Sequence, residues 1–194
     1  VSVCDARPVF ATRKRFPDAD EVVVDWPHRW LGNQQVDERT VIAVLTHDPK
    51  FDVPVLRVAL RSKAGYVGAM GSRGTHEDRL SRLKAAGITD AECDRLHSPI
   101  GLDLGARTPE ETAISIAAEI VAARWGGSGS RLTGTTGPIH PAGPAARREL
   151  RWPVWFWPPV PACVSADRRR RSSSTGCASS IVRFSYYAEP DARR

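Results

Sequence analysis

The sequence predicts an α/β fold, a doubly wound parallel sheet flanked by helices. Three observations predict it. Short apolar runs rich in β-branched residues recur through the first 126 residues, as expected of strands buried on both faces. Capped or amphipathic helical stretches alternate with them, which favours parallel strands joined by crossovers. Polar and titratable residues or glycines gather at the carboxyl ends of the runs, where open α/β sheets hold their ligands.

Val1-Ser2-Val3-Cys4-Asp5 is a short strand ending on an acid. An acid at such a strand end can take ribose hydroxyls, or it can accept N–H bonds from its own loop. Ala6-Arg7-Pro8 is a turn, with Arg7 either facing solvent or contacting a ligand phosphate. Phe10 to Phe16 is a basic connection. Glu21–Asp25 is the next strand, closed by Trp26-Pro27, and a polar connection with a short helix covers His28 to Val36.

Val41–Leu45 is the strongest strand and runs into Thr46-His47-Asp48-Pro49-Lys50. His47 and Asp48 can orient a ligand hydroxyl or exchange a proton. Alternatively, Asp48 caps a turn and His47 bonds a loop carbonyl. A helix is predicted from Val53 to Lys63, with Asp52 as N-cap and Pro54 in its first turn.

The segment Tyr66-Val67-Gly68-Ala69-Met70-Gly71-Ser72-Arg73 is a buried strand feeding a turn and then a helix capped by Thr75. Free N–H groups of a first helical turn, the helix dipole, Ser72 and Arg73 together suit an anion. The helix runs to about Ala86, with Leu80 and Leu83 inward and Gly87 as its stop. Thr89-Asp90-Ala91-Glu92 is a capping box for a short helix. Residues 97–106 are glycine-punctuated, either a last strand or a structured loop. Thr108-Pro109-Glu110-Glu111 opens a helix to about Arg124, with Ile114, Ala117, Ala118 and Val121 as its packing face.

The net charge of +6 does not indicate nucleic acid. From Ala145 onward there are ten Arg, no Lys and four acidic residues, which leaves 18 basic and 18 acidic residues before it. A folded nucleic-acid binder carries its basic patch on the fold, and here the excess sits in the tail. No apolar run approaches the roughly 18 residues of a membrane span. The four cysteines include no C-x-x-C pair and no His at zinc spacing, so no metal site is expected and a reducing, cytoplasmic setting fits. The first residues show neither an initiator Met nor a signal peptide, and residues are expected upstream. A Gly/Ser/Pro-rich linker is expected over 127–144. Beyond it, 145–194 is an Arg/Pro/Ser/Trp-rich tail without helical or strand period, expected to be disordered or translated out of frame.

The blocks Cys4-Asp5-Ala6-Arg7-Pro8, Leu45-Thr46-His47-Asp48-Pro49-Lys50-Phe51-Asp52, Tyr66 through Arg73 and Ser98-Pro99-Ile100-Gly101-Leu102-Asp103-Leu104-Gly105, in that order, resemble the Rossmann-type domain of the XdhC/CoxI family. These are accessory proteins of xanthine dehydrogenase and related molybdenum hydroxylases. The similarity spans roughly residues 1 to 140. It implies an accessory role without turnover: binding molybdenum cofactor or a nucleotide, aiding its sulfuration, and handing it to an apo-hydroxylase. Molybdopterin and NAD(P) are the cofactors it suggests, and the apo-hydroxylase, a cofactor sulfurase and a second copy are the partners. Asp5, His47, Asp48, Gly68, Gly71, Ser72 and Arg73 form the candidate cofactor-binding set, with no catalytic residue. The resemblance also implies a strand and glycine-rich loop ahead of Val1, plus a separate N-terminal domain. Without that strand, the expected Rossmann-like sheet is incomplete, with nothing between Val1–Asp5 and Val41–Leu45. The alternatives are an NAD(P)-dependent oxidoreductase with His47 as acid or base, and a nonfunctional gene fragment.

Overall fold

The apolar runs form strands and pair with one another. The computed structural model describes residues 1–139 and the backbone of residues 181–184. In chain order the elements are β1 (Ser2–Asp5), β2 (Glu21–Val24), α1 (Pro27–Gly32), β3 (Val41–Val44), α2 (Pro49–Arg61), β4 (Tyr66–Ala69), α3 (Arg73–Ala85), α4 (Asp90–Cys93), β5 (Leu96–His97), α5 (Pro109–Trp125) and β6 (Ile181–Phe184). The strands form one sheet in the order β2-β1-β6-β3-β4-β5. β1 runs parallel to β2, with Val3 opposite Val22. β3 runs parallel to β4, with Ala43 opposite Gly68, and β4 parallel to β5.

One expectation is corrected at the centre of the sheet. Ile181–Phe184 pairs antiparallel with both β1 and β3, so the expected gap is filled and neither neighbour is an edge. The physical reason is the cost of leaving two rows of backbone N–H and C=O groups unpaired in mid-sheet. Because β6 opposes both, β1 and β3 point the same way. The remainder of the tail, and its reading as disordered or out of frame, lies outside the described residues. At the sheet's rim, β2 is half-buried and Val24 is exposed, where burial on both faces was expected.

Strand alternation divides the sheet into two faces. Ile42, Val44, Val67 and Ala69 point into the main core, against Leu31 of α1, Val55, Leu56, Ala59 and Leu60 of α2, and Leu83 of α3. Tyr66 and Gly68 point the other way, toward Glu119 of α5 and Ile100.

Two helix starts differ from the expectation. α2 begins at Pro49, capped by Asp48, whose side chain accepts from the Lys50 N–H. This releases Asp52 into the interior. α3 is capped by Ser72, whose hydroxyl accepts from the Thr75 N–H, so the helix starts three residues early. In both places two good capping residues lie within one turn. The earlier one lets the helix begin directly at the strand tip. The boxes at Thr89 and Thr108 are both formed as expected, and Gly126 ends α5 in the left-handed conformation.

The face of α5 is also corrected. Ile114 and Val121 are 62% and 57% exposed, and Ser115 is buried instead. The helix is docked through polar anchors. The Ser115 hydroxyl donates to the Leu102 carbonyl, and Glu119 accepts from the Tyr66 hydroxyl and the Gly101 N–H, at 2.5 and 2.6 Å. The Tyr66 phenol is pushed well above its ordinary value of 10.0, by burial and then by the Glu119 carboxylate.

Candidate functional site

The carboxyl ends of β1, β3, β4 and β5 lie along one edge of the sheet. At the middle of that edge the β3 and β4 tips are adjacent. The Met70 N–H donates to the Val44 carbonyl at 2.8 Å, extending the ladder one residue beyond the strands. The next residues of each chain segment, His47-Asp48 and Gly71-Ser72-Arg73, therefore emerge side by side.

His47 is exposed. Asp48 holds the start of α2, and its carboxylate also lies 3.5 Å from the Lys50 ammonium. Ser72 holds the start of α3 and shares a 2.9 Å hydrogen bond with the Thr75 hydroxyl. Arg73 is the first residue of α3 and is exposed. Gly71 gives the chain room to turn. A Cβ there would meet Thr75 at 3.1 Å and the Arg79 guanidinium at 3.4 Å. Gly68 sits inside β4, where a Cβ would lie 2.4 Å from Ile100 Cδ1. Its missing side chain admits Ile100, which caps that face of the strand.

Asp5 stands apart from the other candidates, at the β1 tip across β6. It is 1% exposed, and Arg7 occupies its carboxylate three times. The Arg7 N–H and Nε donate to Oδ1 at 2.9 and 3.2 Å, and Nη2 donates to Oδ2 at 3.3 Å. Cys4, beside it, is also buried. Its thiol donates to the Asp25 carbonyl and is pushed up to about 12 by burial.

The sequence reading missed the group that fixes this edge. Arg79 of α3 is buried, and its guanidinium makes four hydrogen bonds. Nη2 donates to Asp52 Oδ2 at 2.8 Å and to the Met70 carbonyl at 2.7 Å, Nε donates to the same carboxylate oxygen at 3.3 Å, and Nη1 donates to Ser98 Oγ at 2.9 Å. One side chain thus ties the start of α2, the β4 tip and the segment after β5. Among the described residues, Asp52 Oδ1 has no hydrogen-bond partner. Burial raises the Asp52 carboxyl above its ordinary 3.8, against the opposing pull of Arg79. The available signal was an Asp and an Arg on successive helices next to strand tips, but neither position is chemically distinctive in one dimension.

The arrangement offers cationic, hydroxyl and imidazole groups with a helix start at the carboxyl ends of the parallel strands β3 and β4, which suits an anion. Fold and edge together define a Rossmann-type α/β domain. The chain belongs to the family described as the XdhC Rossmann domain, whose model matches residues 1–120.

A Bacillus subtilis protein described as a probable xanthine dehydrogenase subunit is 32% identical over 124 residues, which cover 64% of this chain and 36% of that protein. The Escherichia coli molybdenum cofactor insertion chaperone PaoD is 36% identical over 93 residues, 48% of this chain and 29% of PaoD. A crystal structure from Bacillus halodurans, titled a xanthine dehydrogenase, superposes with a TM-score of 0.54 at 33% identity, covering 63% of this chain and 36% of that one. The chain spans about a third of the length of each of these relatives. Among the described residues, no helix is long and apolar enough to cross a membrane.

Proposed function

We propose that this chain supplies the cofactor-facing domain of an accessory protein for a molybdenum hydroxylase of the xanthine dehydrogenase type. In this reading it holds molybdenum cofactor, aids its sulfuration in company with a cofactor sulfurase, and presents it to the apo-enzyme in the cytoplasm without turning over a substrate. The names of the relatives support the class of role. The observation that carries the ligand reading is the parallel, adjacent pair of strand tips, which sets His47 and Gly71-Ser72-Arg73 on one edge. The terminal phosphate of a pterin cofactor is the anion such an edge would meet. NAD(P) is the alternative occupant. The domain responsible is residues 1–126, followed by a linker over 127–144.

The test is titration of the purified full chain with phosphate-terminated molybdopterin, alongside an assay for nicotinamide turnover. The expected result is saturable binding without turnover, weakened by ~1–3 kcal/mol in Arg73→Ala, the range for losing a charge-assisted bond. Turnover of NAD(P)H would replace this reading with the oxidoreductase. Unchanged affinity in Arg73→Ala would remove the β4 tip from the site.

A further inference from the structure

Helix α5 turns an apolar stripe to solvent. Ile114, Val121 and Trp125 are each more than half exposed, and exposed Ala117 lies between the first two. Their spacing of seven and four residues sets them on one face of the helix. The inward side is held by Ser115 and Glu119 instead. Single exposed apolar residues are ordinary, but three on one helix face make a contiguous patch of the kind that marks a contact surface.

The charges at the two ends of the stripe say what fits it. Residues 101–113 carry Asp103, Glu110 and Glu111 against Arg107, whereas residues 122–139 carry Arg124 and Arg131 and no acid. The Arg124 guanidinium lies 5.2 Å from the centre of the Trp125 ring, which puts a cation at the C-terminal end of the stripe itself. The helix is thus negative at one end and positive at the other. It is also matched about its midpoint. Ile114 lies as far before the point between Ala117 and Ala118 as Val121 lies after it, and Glu110 and Glu111 match Trp125 and Arg124 in the same way. A second α5 laid antiparallel would set Ile114 on Val121 and each acidic end on a basic end, with alanines at the crossing. That is the self-complementarity a two-fold interface requires. A parallel pair would bring like charges together, and an anionic membrane surface would be repelled by the acidic end.

We propose that the outer face of α5 is a two-fold interface on which a second copy of this chain docks, the two α5 helices packing antiparallel. The contact is small. Seventeen helical residues give a strip roughly 25 Å long and ~10 Å wide, well under the ~800 Å² per partner of a standard interface. The dimer therefore exchanges with monomer and depends on concentration. The inference goes beyond the cofactor reading and needs no ligand.

The test is sedimentation equilibrium of the full chain from about 1 to about 200 µM, the range a small interface demands, with a thermal melt of each variant. The parent is expected to pass from monomer to dimer. Val121→Asp should stay monomeric throughout and melt with parental monomer. Glu110→Arg and Arg124→Glu should each weaken the dimer about fivefold, because each contact occurs twice and attraction becomes repulsion, and the two changes together in one chain should restore it. Orientation is read by oxidative cross-linking in a Cys163→Ser, Cys177→Ser background. Ile114→Cys mixed with Val121→Cys should form the mixed disulfide. Neither should pair with itself, since like positions lie about 10 Å apart along an antiparallel pair, beyond disulfide reach. A dimer that persists in Val121→Asp would place the interface elsewhere and overturn the proposal, as would self-paired disulfides at either position. A parent that stays monomeric also overturns it. In that case a lower melting temperature in Val121→Asp would assign the face to another segment of the same chain, and an unchanged one would assign it to a different protein.

Discussion

Replacing Arg79 by Met should be the most damaging single change at the ligand edge, and its cost should depend on pH. Arg79 and Asp52 are 2% and 4% exposed at their side chains, and the pair is 2.8 Å apart. A buried ion pair contributes little net stability, but removing one partner strands the other charge in the interior, at a cost of roughly 3–5 kcal/mol. The Met70 carbonyl and Ser98 hydroxyl lose their donor at the same time. For a chain of this size, each kcal/mol lowers the melting temperature by roughly 2–4 °C. The Asp52 carboxyl already lies above its ordinary 3.8 because burial outweighs Arg79. The folded state therefore holds that proton more tightly than the unfolded state does. The stability this contributes is present at low pH and is lost as pH rises through the raised value. Without Arg79 the carboxyl rises further. The variant should show its full loss at pH 8 and a much smaller one near pH 4, where a protonated Asp52 needs no cation. Urea unfolding of parent and variant across that range measures it. A loss below about 1 kcal/mol at pH 8, or one that does not shrink on acidification, would refute the reasoning.

Gly68→Ala should destabilise by ~1–3 kcal/mol, the range for overpacking. Its Cβ would sit 2.4 Å from Ile100 Cδ1 and 2.9 Å from Tyr66 Cε1, and a thermal melt at parental stability would show that Ile100 moves aside freely. Cys4, with its thiol pushed up to about 12 inside the sheet, should resist alkylation at pH 8 until the chain unfolds. Mass spectrometry that finds Cys4 labelled rapidly in native buffer would contradict its burial.

What was legible in the sequence was what is decided locally. The boxes at Thr89 and Thr108 need only four adjacent residues, and both formed. The strands Val41–Val44 and Tyr66–Ala69 are continuous apolar runs, which have few other places to go than the sheet interior. Choices between near-equal local signals were not legible. Asp48 and Asp52, like Ser72 and Thr75, are both competent caps, and in the first case the choice couples to an ion pair formed 27 residues away. α5 carries apolar residues on two sides, so periodicity could not say that Ser115 and Glu119 would face inward. β6 comes from a four-residue segment far beyond β3 in the chain, and its pairing with β1 and β3 is a long-range contact that no local signal announces. The sequence pointed to the tips of β3 and β4, which are neighbours in the sheet. It did not show that Asp5 is committed to Arg7, or that Arg79 braces the edge from below.

Hydrogen exchange of the full chain, with and without phosphate-terminated molybdopterin, puts the shared edge to its hardest trial. Peptides covering Leu45–Lys50 and Met70–Thr75 should gain protection together on addition, while the outer surface of α5 exchanges as before. Protection at only one of the two tips, or none at either, would mean that the neighbouring strand ends do not receive a common ligand.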